Sequence, residues 1–202
     1  CYPVGSKILV DDLHFDTGGG GTNCAVAFAR LGFKTGWVGK LGDDANSERV
    51  LEAVRNEKID FLGSQTHGLA GYSVILVGVR NDRTILAYKG INDELCEKDF
   101  DYAALKTRWF YFSSMMNKSF KTLEKLAWFA RKRGINYAFN PSTYLAQKGL
   151  KFLRNIIDGC SLLILNKEEA EILSGKKDQK DIIRLLQRYS RIVVITDGAN
   201  GA

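Results

Sequence analysis

The sequence predicts an α/β protein with a mostly parallel central sheet flanked by helices. From Trp109 onward, strand-like and helix-like segments alternate in the order strand, helix, strand, helix, strand, helix, strand. The strands at 162–165 (LLIL) and 192–196 (IVVIT) are apolar throughout, which is typical of parallel strands covered on both faces. The 202 residues are 45% hydrophobic, enough for one buried core with little room for a second. We therefore expect a single domain over residues 1–202.

Before the alternation, the chain contains two strand-like regions of a different kind. Apolar residues alternate at 7–16, and a second region at 72–89 holds two β-rich runs joined by Arg80–Arg83, which predicts a hairpin. Because both regions interrupt the strand–helix order, we predict that 7–16 and 72–89 form a small antiparallel β lid over the ligand site. The other predicted elements are helices at 22–31, 46–57, 120–133, 168–173 and 181–189 and strands at 35–40, 109–113, 135–140, 162–165 and 192–196.

Composition argues against several functional classes. The net charge is +6, but the basic residues of 118–133 and 176–180 are not interleaved with aromatic side chains, so solvated helix faces are favoured over a nucleic-acid surface. No signal peptide or long apolar run is present, so no membrane partner is expected. Four widely spaced cysteines and two histidines make a zinc site, a disulfide framework or histidine catalysis improbable. These features fit a cytoplasmic protein, and a basic balance suits phosphate ligands.

Four glycines followed by Thr22 and Asn23 open the first predicted helix. Glycines let the backbone approach a ligand closely, and a helix N-terminus offers unpaired N–H groups. The spacing fits no dinucleotide fingerprint, because Asn23 or Cys24 stands where the third glycine is needed, and no P-loop is present. Asn23 can both donate to and accept from hydroxyl groups, which suits a polyol. The alternative is a tight loop without a ligand.

Two further motifs directly follow apolar strands, where α/β folds bind ligands. In Asn166-Lys167-Glu168-Glu169, the first and last residues meet across one helical turn, and the carboxylate could hold magnesium through water. Alternatively the same pair is only a capping box at a helix start. The glycine-bearing turn at 196–201 (TDGANG) could pass under a nucleotide phosphate, or it is an ordinary connection.

These motifs together resemble the ribokinase-like (PfkB-type) carbohydrate kinase family. Residues 18–32 (GGGGTNCAVAFARLG) with 38–44 (VGKLGDD) are similar to its N-terminal signature, and 166–169 to its N-x-x-E motif. Residues 196–201 resemble its nucleotide-binding turn, and 89–93 (KGIND) the segment that returns from its lid. The resemblance implies a ribokinase-like fold, ATP as phosphoryl donor, Mg²⁺, and transfer of the γ-phosphoryl group to a hydroxyl of a sugar or nucleoside. It also implies that a homodimer could form through the lid.

The resemblance assigns roles to individual residues. Asn166 and Glu169 would organise magnesium and the phosphates, with Glu169 acting on the metal indirectly through water. Thr196, Gly198 and Gly201 would line the nucleotide. The residues expected to contact the sugar or nucleoside are Gly18, Gly19, Gly21, Asn23 and Asn92.

The chain also departs from the family pattern. The aspartate that serves the family as catalytic base is expected beyond Ala202, and the family's first strand is expected before Cys1. Ser47 stands where the family usually has glycine. We therefore expect an enzyme, a sugar kinase, of which this fragment is inactive alone. The alternative is a non-catalytic sugar- or nucleoside-binding module of the same fold, and the glycine spacing argues against a nicotinamide oxidoreductase.

Overall fold

The computed structural model describes residues 5, 7, 9–77 and 83–202. The first half of the chain forms two helices and two pairs of short parallel strands, in which β1 pairs with β3 and β2 pairs with β4. In chain order these elements are α1 (Gly20–Arg30), β1 (Gly36–Trp37), β2 (Lys40–Leu41), α2 (Ala45–Asn56), β3 (Asp60–Phe61) and β4 (Ser64–Gln65). The strand predicted at 35–40 is thus divided in two. Gly63 lies against the Gly39 backbone, where an added Cβ would come within 1.8 Å of the Gly39 oxygen.

The lid hairpin is present as an antiparallel pair. Strand β5 (Tyr72–Val77) pairs with β6 (Arg83–Tyr88), in register from Tyr72 opposite Tyr88 to Val77 opposite Arg83. Residues 80–82 of the turn predicted at 80–83 lie outside the described residues, as do 78 and 79, and Arg83 begins β6. Apolar side chains are exposed along both strands, with Ile75 at 53% and Leu86 at 57%. The hairpin is therefore attached to the rest of the protein mainly at its base.

The segment predicted as the first lid strand contains no strand in its described residues, 7 and 9–16. Leu9 is 95% exposed and Val10 73% exposed. Backbone N–H groups of this stretch and of Thr17 bond to neighbouring side chains instead, as in the 2.8 Å bond from Leu13 N to Asp12 Oδ1. Alternation of apolar residues stabilises a strand only when a partner strand satisfies the backbone and a surface covers one face. That part of the lid prediction was wrong, because the segment has neither.

The second half confirms the predicted strand–helix alternation. Its four strands form one parallel sheet in the order β10-β9-β8-β7. Helices α4 and α5 and the short strands β3 and β4 were not predicted. In chain order the elements are β7 (Trp109–Phe112), α3 (Asn117–Arg133), β8 (Asn136–Phe139), α4 (Thr143–Ala146), α5 (Gly149–Ile157), β9 (Cys160–Asn166), α6 (Lys167–Ser174), α7 (Gln179–Leu186) and β10 (Ser190–Thr196).

The main hydrophobic core lies between this sheet and its helices. Leu123 of α3, Phe139 of β8, Ile156 of α5 and Leu163 of β9 are all fully buried within one cluster. Burial of this kind stabilises a fold by roughly 1.5–3 kcal/mol for each large apolar side chain. A smaller cluster of Ala25, Val54 and Ile59 holds α1, α2 and the residue before β3 together. This packing fixes the parallel sheet, and with it the positions of the residues that directly follow its strands.

Two further observations concern cysteines and membranes. Cys24, Cys96 and Cys160, the cysteines that the structure describes, are all unpaired. Within the described part of the chain, no helix has both the length and the apolar character needed to span a bilayer.

Candidate functional site

The polar residues that follow the four parallel strands share one edge of the sheet, called here the carboxyl edge. Asn166 at the end of β9 is the direct partner of Thr196 at the end of β10. Asn140 follows β8 and donates from Nδ2 to the backbone oxygen of Ile164, 2.8 Å away. Ser113 follows β7. Parallel strands bring all four positions to one side, as the sequence predicts for two of them.

The glycine run, 18–21, lies against the β7 end of this edge. An added Cβ on Gly20 would come within 2.6 Å of Ser113 Oγ, and one on Gly21 within 3.7 Å of Ser113 Cβ and of Trp37 Nε1. Gly19 has a φ of 95°, a conformation that other residues rarely adopt. Helix α1 begins at Gly20 without a side-chain cap, so N–H groups of its first turn are available to a ligand. The glycine loop therefore lies beside the carboxyl edge.

Asn23 lies on the first turn of α1 and its side chain is exposed to solvent. Its backbone N–H bonds to the Gly19 oxygen at 2.9 Å, which fixes the helix start while the amide group stays available. Gly18 is also exposed and lies next to it, since an added Cβ there would be 4.0 Å from Asn23 Oδ1. The predicted contacts of Gly18, Gly19, Gly21 and Asn23 with an acceptor molecule remain predictions.

Asn92 has a structural task that the sequence did not reveal. Its Oδ1 accepts from the backbone N–H of Gly71, 3.1 Å away, and its backbone oxygen accepts from Ser119 Oγ at 2.7 Å. Gly71 precedes β5, and Asn92 follows β6, so this side chain joins the two bases of the lid. Ile91 N also donates to Leu69 O at 2.9 Å. Asn92 thus sets the position of the lid relative to α3, whatever it contributes to a ligand.

The lid base is also tied to the start of α2. Asp44 caps α2 by accepting from Ser47 N, and the same oxygen accepts from Ala70 N at 3.2 Å. Ser47 is fully buried, and its hydroxyl accepts from Gly42 N at 2.8 Å. The serine that stands where the family usually has glycine is accommodated by this network rather than facing a ligand.

Asn166 and Glu169 form a capping box at the start of α6. Asn166 Oδ1 accepts from Glu169 N at 2.8 Å, and Asn166 N donates to Glu169 Oε2 at 3.0 Å. The Glu169 side chain is buried at 7% exposure. Burial raises its pKa and Glu168 adds to that, against the bonds from Asn166 N–H and the Thr143 hydroxyl. The capping box that was the alternative interpretation is therefore present. A cap exposed to solvent would not require the Glu169 side chain to be buried.

The nucleotide-type turn follows β10 as a short 3₁₀ turn at Gly198–Asn200. Gly198 and Gly201 have φ values of 57° and 93°, both in the left-handed region. Asp197 N bonds to Gly201 O at 2.7 Å and closes the turn. Lys167 Nζ lies 3.2 Å from Asp197 Oδ2 and lowers the pKa of that aspartate, as Asn200 also does. The ion pair links the two predicted nucleotide motifs.

Several polar residues at the carboxyl edge were missed from the sequence. Ser114 Oγ lies 2.6 Å from Ser142 Oγ, which joins the end of β7 to the loop after β8. Ser113 and Asn140 occupy equivalent positions after their strands. The signal was available, because Ser113 and Asn140 are the last residues of predicted strands, as Thr196 is, and Asn166 directly follows one. Among the described residues, no group of three or more His, Cys, Asp or Glu side chains could hold a metal ion.

Solved structures of other proteins show the same fold. The chain matches a ribokinase from Giardia lamblia with a TM-score of 0.82 and 19% identity, over 99% of this chain and 69% of that one. It matches an adenosine kinase from Sinorhizobium meliloti with a TM-score of 0.78 and 20% identity, over 87% of this chain and 56% of that one. These likenesses define a ribokinase-like α/β fold with a small antiparallel lid.

Proteins of similar sequence indicate the class of protein more narrowly than the fold does. Mouse ribokinase is 29% identical over 98% of this chain and 63% of its own length, and a Salmonella typhi deoxyribokinase is 27% identical over 92% and 62%. The chain therefore spans less than two thirds of the length of these two kinases. Residues 2–202 match the family described as pfkB family carbohydrate kinase. This chain belongs to that family, as its glycine loop and strand-end motifs indicated.

Proposed function

We propose that the complete protein transfers the γ-phosphoryl group of ATP to a hydroxyl group of a sugar or nucleoside. The observation that supports this most strongly is the shared carboxyl edge. Asn166 and Thr196 are paired residues at one end of it, and the glycine loop lies against Ser113 at the other. Phosphoryl transfer depends on positioning two substrates in line and on stabilising charge, and two groups of residues at opposite ends of one sheet edge fit that need.

The acceptor side comprises the glycine loop, Asn23 and Asn92. The uncapped N–H groups of α1 can donate to hydroxyl oxygens, and Gly18, Gly19 and Gly21 let the acceptor approach the backbone. The exposed Asn23 amide can both donate and accept, which matches a diol. Asn92 contributes by fixing the lid base, and its amide nitrogen lies on the Gly71 side of that base.

The nucleotide side comprises Asn166, Glu169, Thr196, Gly198 and Gly201. The two left-handed glycines keep the turn after β10 narrow enough for a nucleotide to lie against its backbone. Glu169 fits an indirect magnesium role, because the capping bond uses Oε2 and hard oxygen ligands suit this ion. Bound Mg²⁺ would neutralise charge on the β- and γ-phosphates. Among the residues here, Glu169 and Asn166 would orient its water shell.

The acceptor is proposed only as a class. Relatives carry the names ribokinase and deoxyribokinase, and a fold neighbour carries the name adenosine kinase. The exposed apolar side chains of β5 and β6 support a homodimer through the lid, since a second hairpin would cover them. The reduced cysteines support a cytoplasmic location.

The test is a coupled assay of ADP release by the complete protein with MgATP and D-ribose, 2-deoxy-D-ribose, D-fructose or adenosine. We expect turnover with at least one acceptor and none without magnesium. The competing function is a non-catalytic binding module. The capping box, in which Asn166 and Glu169 already bond to each other, would favour that module. Calorimetric binding of an acceptor without any ADP release would support that module and contradict the kinase.

A further inference from the structure

A lysine and a tyrosine face each other where the lid base meets the carboxyl edge. Lys89 follows β6 directly, and its side chain is half-buried. Tyr144 lies on α4, in the segment that follows β8, and is 44% exposed. The Lys89 ammonium lies 5.1 Å from the centroid of the Tyr144 ring, within the range of a cation–π interaction. Two elements far apart in sequence thus meet through this pair.

The surroundings of Tyr144 belong to the proposed site. The hydroxyl of Ser142, two residues earlier, bonds to Ser114 at the end of β7. Thr143, immediately before the tyrosine, helps to lower the pKa of the Glu169 carboxyl group against the effect of its burial. On the other side, the Lys89 backbone oxygen accepts from Asn92 N at 3.2 Å, within the segment that fixes the lid base. The pair therefore lies between the lid and the strand ends.

The charge of Lys89 is not neutralised by an acid in the described part of the chain, where no carboxylate lies within 4.0 Å of its ammonium. The nearby acids are engaged elsewhere, since Asp93 accepts from Asn117 and Glu94 pairs with Lys118. A cation–π contact at an accessible site is weaker than a charge-assisted hydrogen bond to a carboxylate or phosphate. The ammonium can therefore exchange the ring for an anion at a net gain.

We propose that Lys89 is a specificity-determining residue that binds an anionic group, carboxylate or phosphate, on the acceptor molecule. Tyr144 is then a positioning residue that holds the ammonium at the site before the acceptor arrives. A neutral sugar gains little from a lysine there, whereas an acidic or phosphorylated sugar gains a charge-assisted bond. This inference rests on the proposed function for the identity of the site, but its binding step is measurable without turnover.

The experiment is titration calorimetry on the complete protein with two matched pairs of probes. D-gluconate is compared with D-glucitol, and D-glucose 6-phosphate with D-glucose, so the two pairs separate a carboxylate from a phosphate. We expect one anionic probe to bind at least about tenfold more tightly than its neutral counterpart. Lys89→Met should abolish that ratio and Lys89→Arg should retain it. Lys106→Met, at the amino end of β7 and exposed, is the matched control and should leave it unchanged.

Tyr144 is tested by the same ratio of affinities. Tyr144→Leu should reduce the anionic preference several-fold. Tyr144→Phe should retain the preference, because phenylalanine keeps the ring face. A purely structural tyrosine would affect the anionic and neutral probes equally. Melting curves identify any variant that fails to fold. If Lys89→Met is such a variant, the ratio of anionic to neutral affinities is compared between Lys89→Arg and the wild type.

Three outcomes would overturn the proposal: an anionic preference that survives Lys89→Met, equal affinity for both members of each pair, or no binding of any probe. ADP release is measured in parallel to separate this inference from the proposed function. Turnover of an anionic acceptor that is insensitive to Lys89→Met would leave the kinase standing and reject the role of Lys89. Lys89-dependent binding of an anionic probe without turnover would support the role of Lys89 and contradict the kinase.

Discussion

The two ends of the carboxyl edge differ in how their polar groups are satisfied. At the β9 and β10 end, Asn166 and Glu169 bond to each other and Lys167 pairs with Asp197. At the β7 end, α1 starts without a cap, and the Ser113 hydroxyl makes no hydrogen bond to the residues that the structure describes. Internal bonding makes the first end rigid before any ligand binds, whereas the second end leaves donors for an acceptor to use.

This difference predicts that substitutions at the first end act on catalysis and the metal, and those at the second on acceptor affinity. The largest expected effect is that of Glu169→Gln, which removes the charge but keeps an oxygen able to accept from Asn166 N. We expect kcat to fall about a hundredfold, on the order of 2.7 kcal/mol, with partial recovery at high magnesium. The assay is turnover across a magnesium series, with Glu168→Gln, an exposed neighbour, as the control.

Stability separates this role from simple capping. Burial raises the pKa of Glu169, so its ionised form is disfavoured in the folded state, and stability is lost as pH rises from the unfolded value through the raised folded value. Above that range, Glu169→Gln should therefore melt at or above the wild-type temperature. Loss of the cap itself, in Asn166→Ala, should instead cost roughly 0.5–2 kcal/mol whatever the metal. An unchanged kcat and magnesium dependence in Glu169→Gln would show that the motif is only structural.

The second prediction concerns Asn23 at the opposite end. Asn23→Leu should weaken acceptor binding by about 1–3 kcal/mol, because hydroxyl groups of the bound acceptor lose their partner. Melting should change little, since the side chain is exposed. Calorimetry with the acceptor that gives turnover measures the effect, and Asn56→Leu, an equally exposed asparagine on α2, is the control. An unchanged affinity would remove Asn23 from the site.

A smaller effect is expected for the contact between the glycine loop and β7. Gly20→Ala would place a methyl group 2.6 Å from Ser113 Oγ, so the hydroxyl must rotate. We expect acceptor KM to rise about three- to tenfold, in keeping with the cost of a displaced rotamer. The double variant with Gly20→Ala and Ser113→Ala should have the same KM as Ser113→Ala alone. Simple additivity of the two changes would show that they do not interact.

The last prediction concerns stability, and the partly buried ion pair between Lys40 of β2 and Asp99. Burial would raise the pKa of Asp99, but the Cys96 N–H, Lys40 and Ser64 outweigh it and lower the pKa to about 2. Because the folded pKa is depressed, this stabilisation is complete above about pH 4 and is lost as pH falls towards 2. Asp99→Asn should therefore reduce the melting temperature at pH 7 and flatten its acid dependence. An acid dependence like that of the wild type, with Asp60→Asn as control, would contradict this.

The sequence predicted the parallel sheet well because its strands carry their own signal. Uniformly apolar runs such as 162–165 need cover on both faces, and the helices between them supply it. The alternation at 7–16 was misleading, because the same pattern requires a partner strand that residues 7 and 9–16 lack. Local pattern cannot report whether such a partner exists.

For the site, the sequence placed both nucleotide motifs at the carboxyl edge and missed the residues that link elements. Asn92 was expected to contact a sugar, but its bond to Gly71 joins the two bases of the lid, which only tertiary structure reveals. The Lys89–Tyr144 pair is equally invisible in sequence, since 55 positions separate its members. The capping box was foreseen as an alternative, and sequence alone could not decide how deeply Glu169 would be buried.

The most direct test is a crystal structure of the complete protein with a non-hydrolysable ATP analogue, Mg²⁺ and the acceptor found by assay. We expect the nucleotide against the turn at 196–201, a water-mediated link from Mg²⁺ to Glu169, and the acceptor between the glycine loop and the lid base. The γ-phosphate should point towards an acceptor hydroxyl near Ser113. A nucleotide bound away from the ends of β9 and β10, or an acceptor without contact to residues 18–23, would contradict the account.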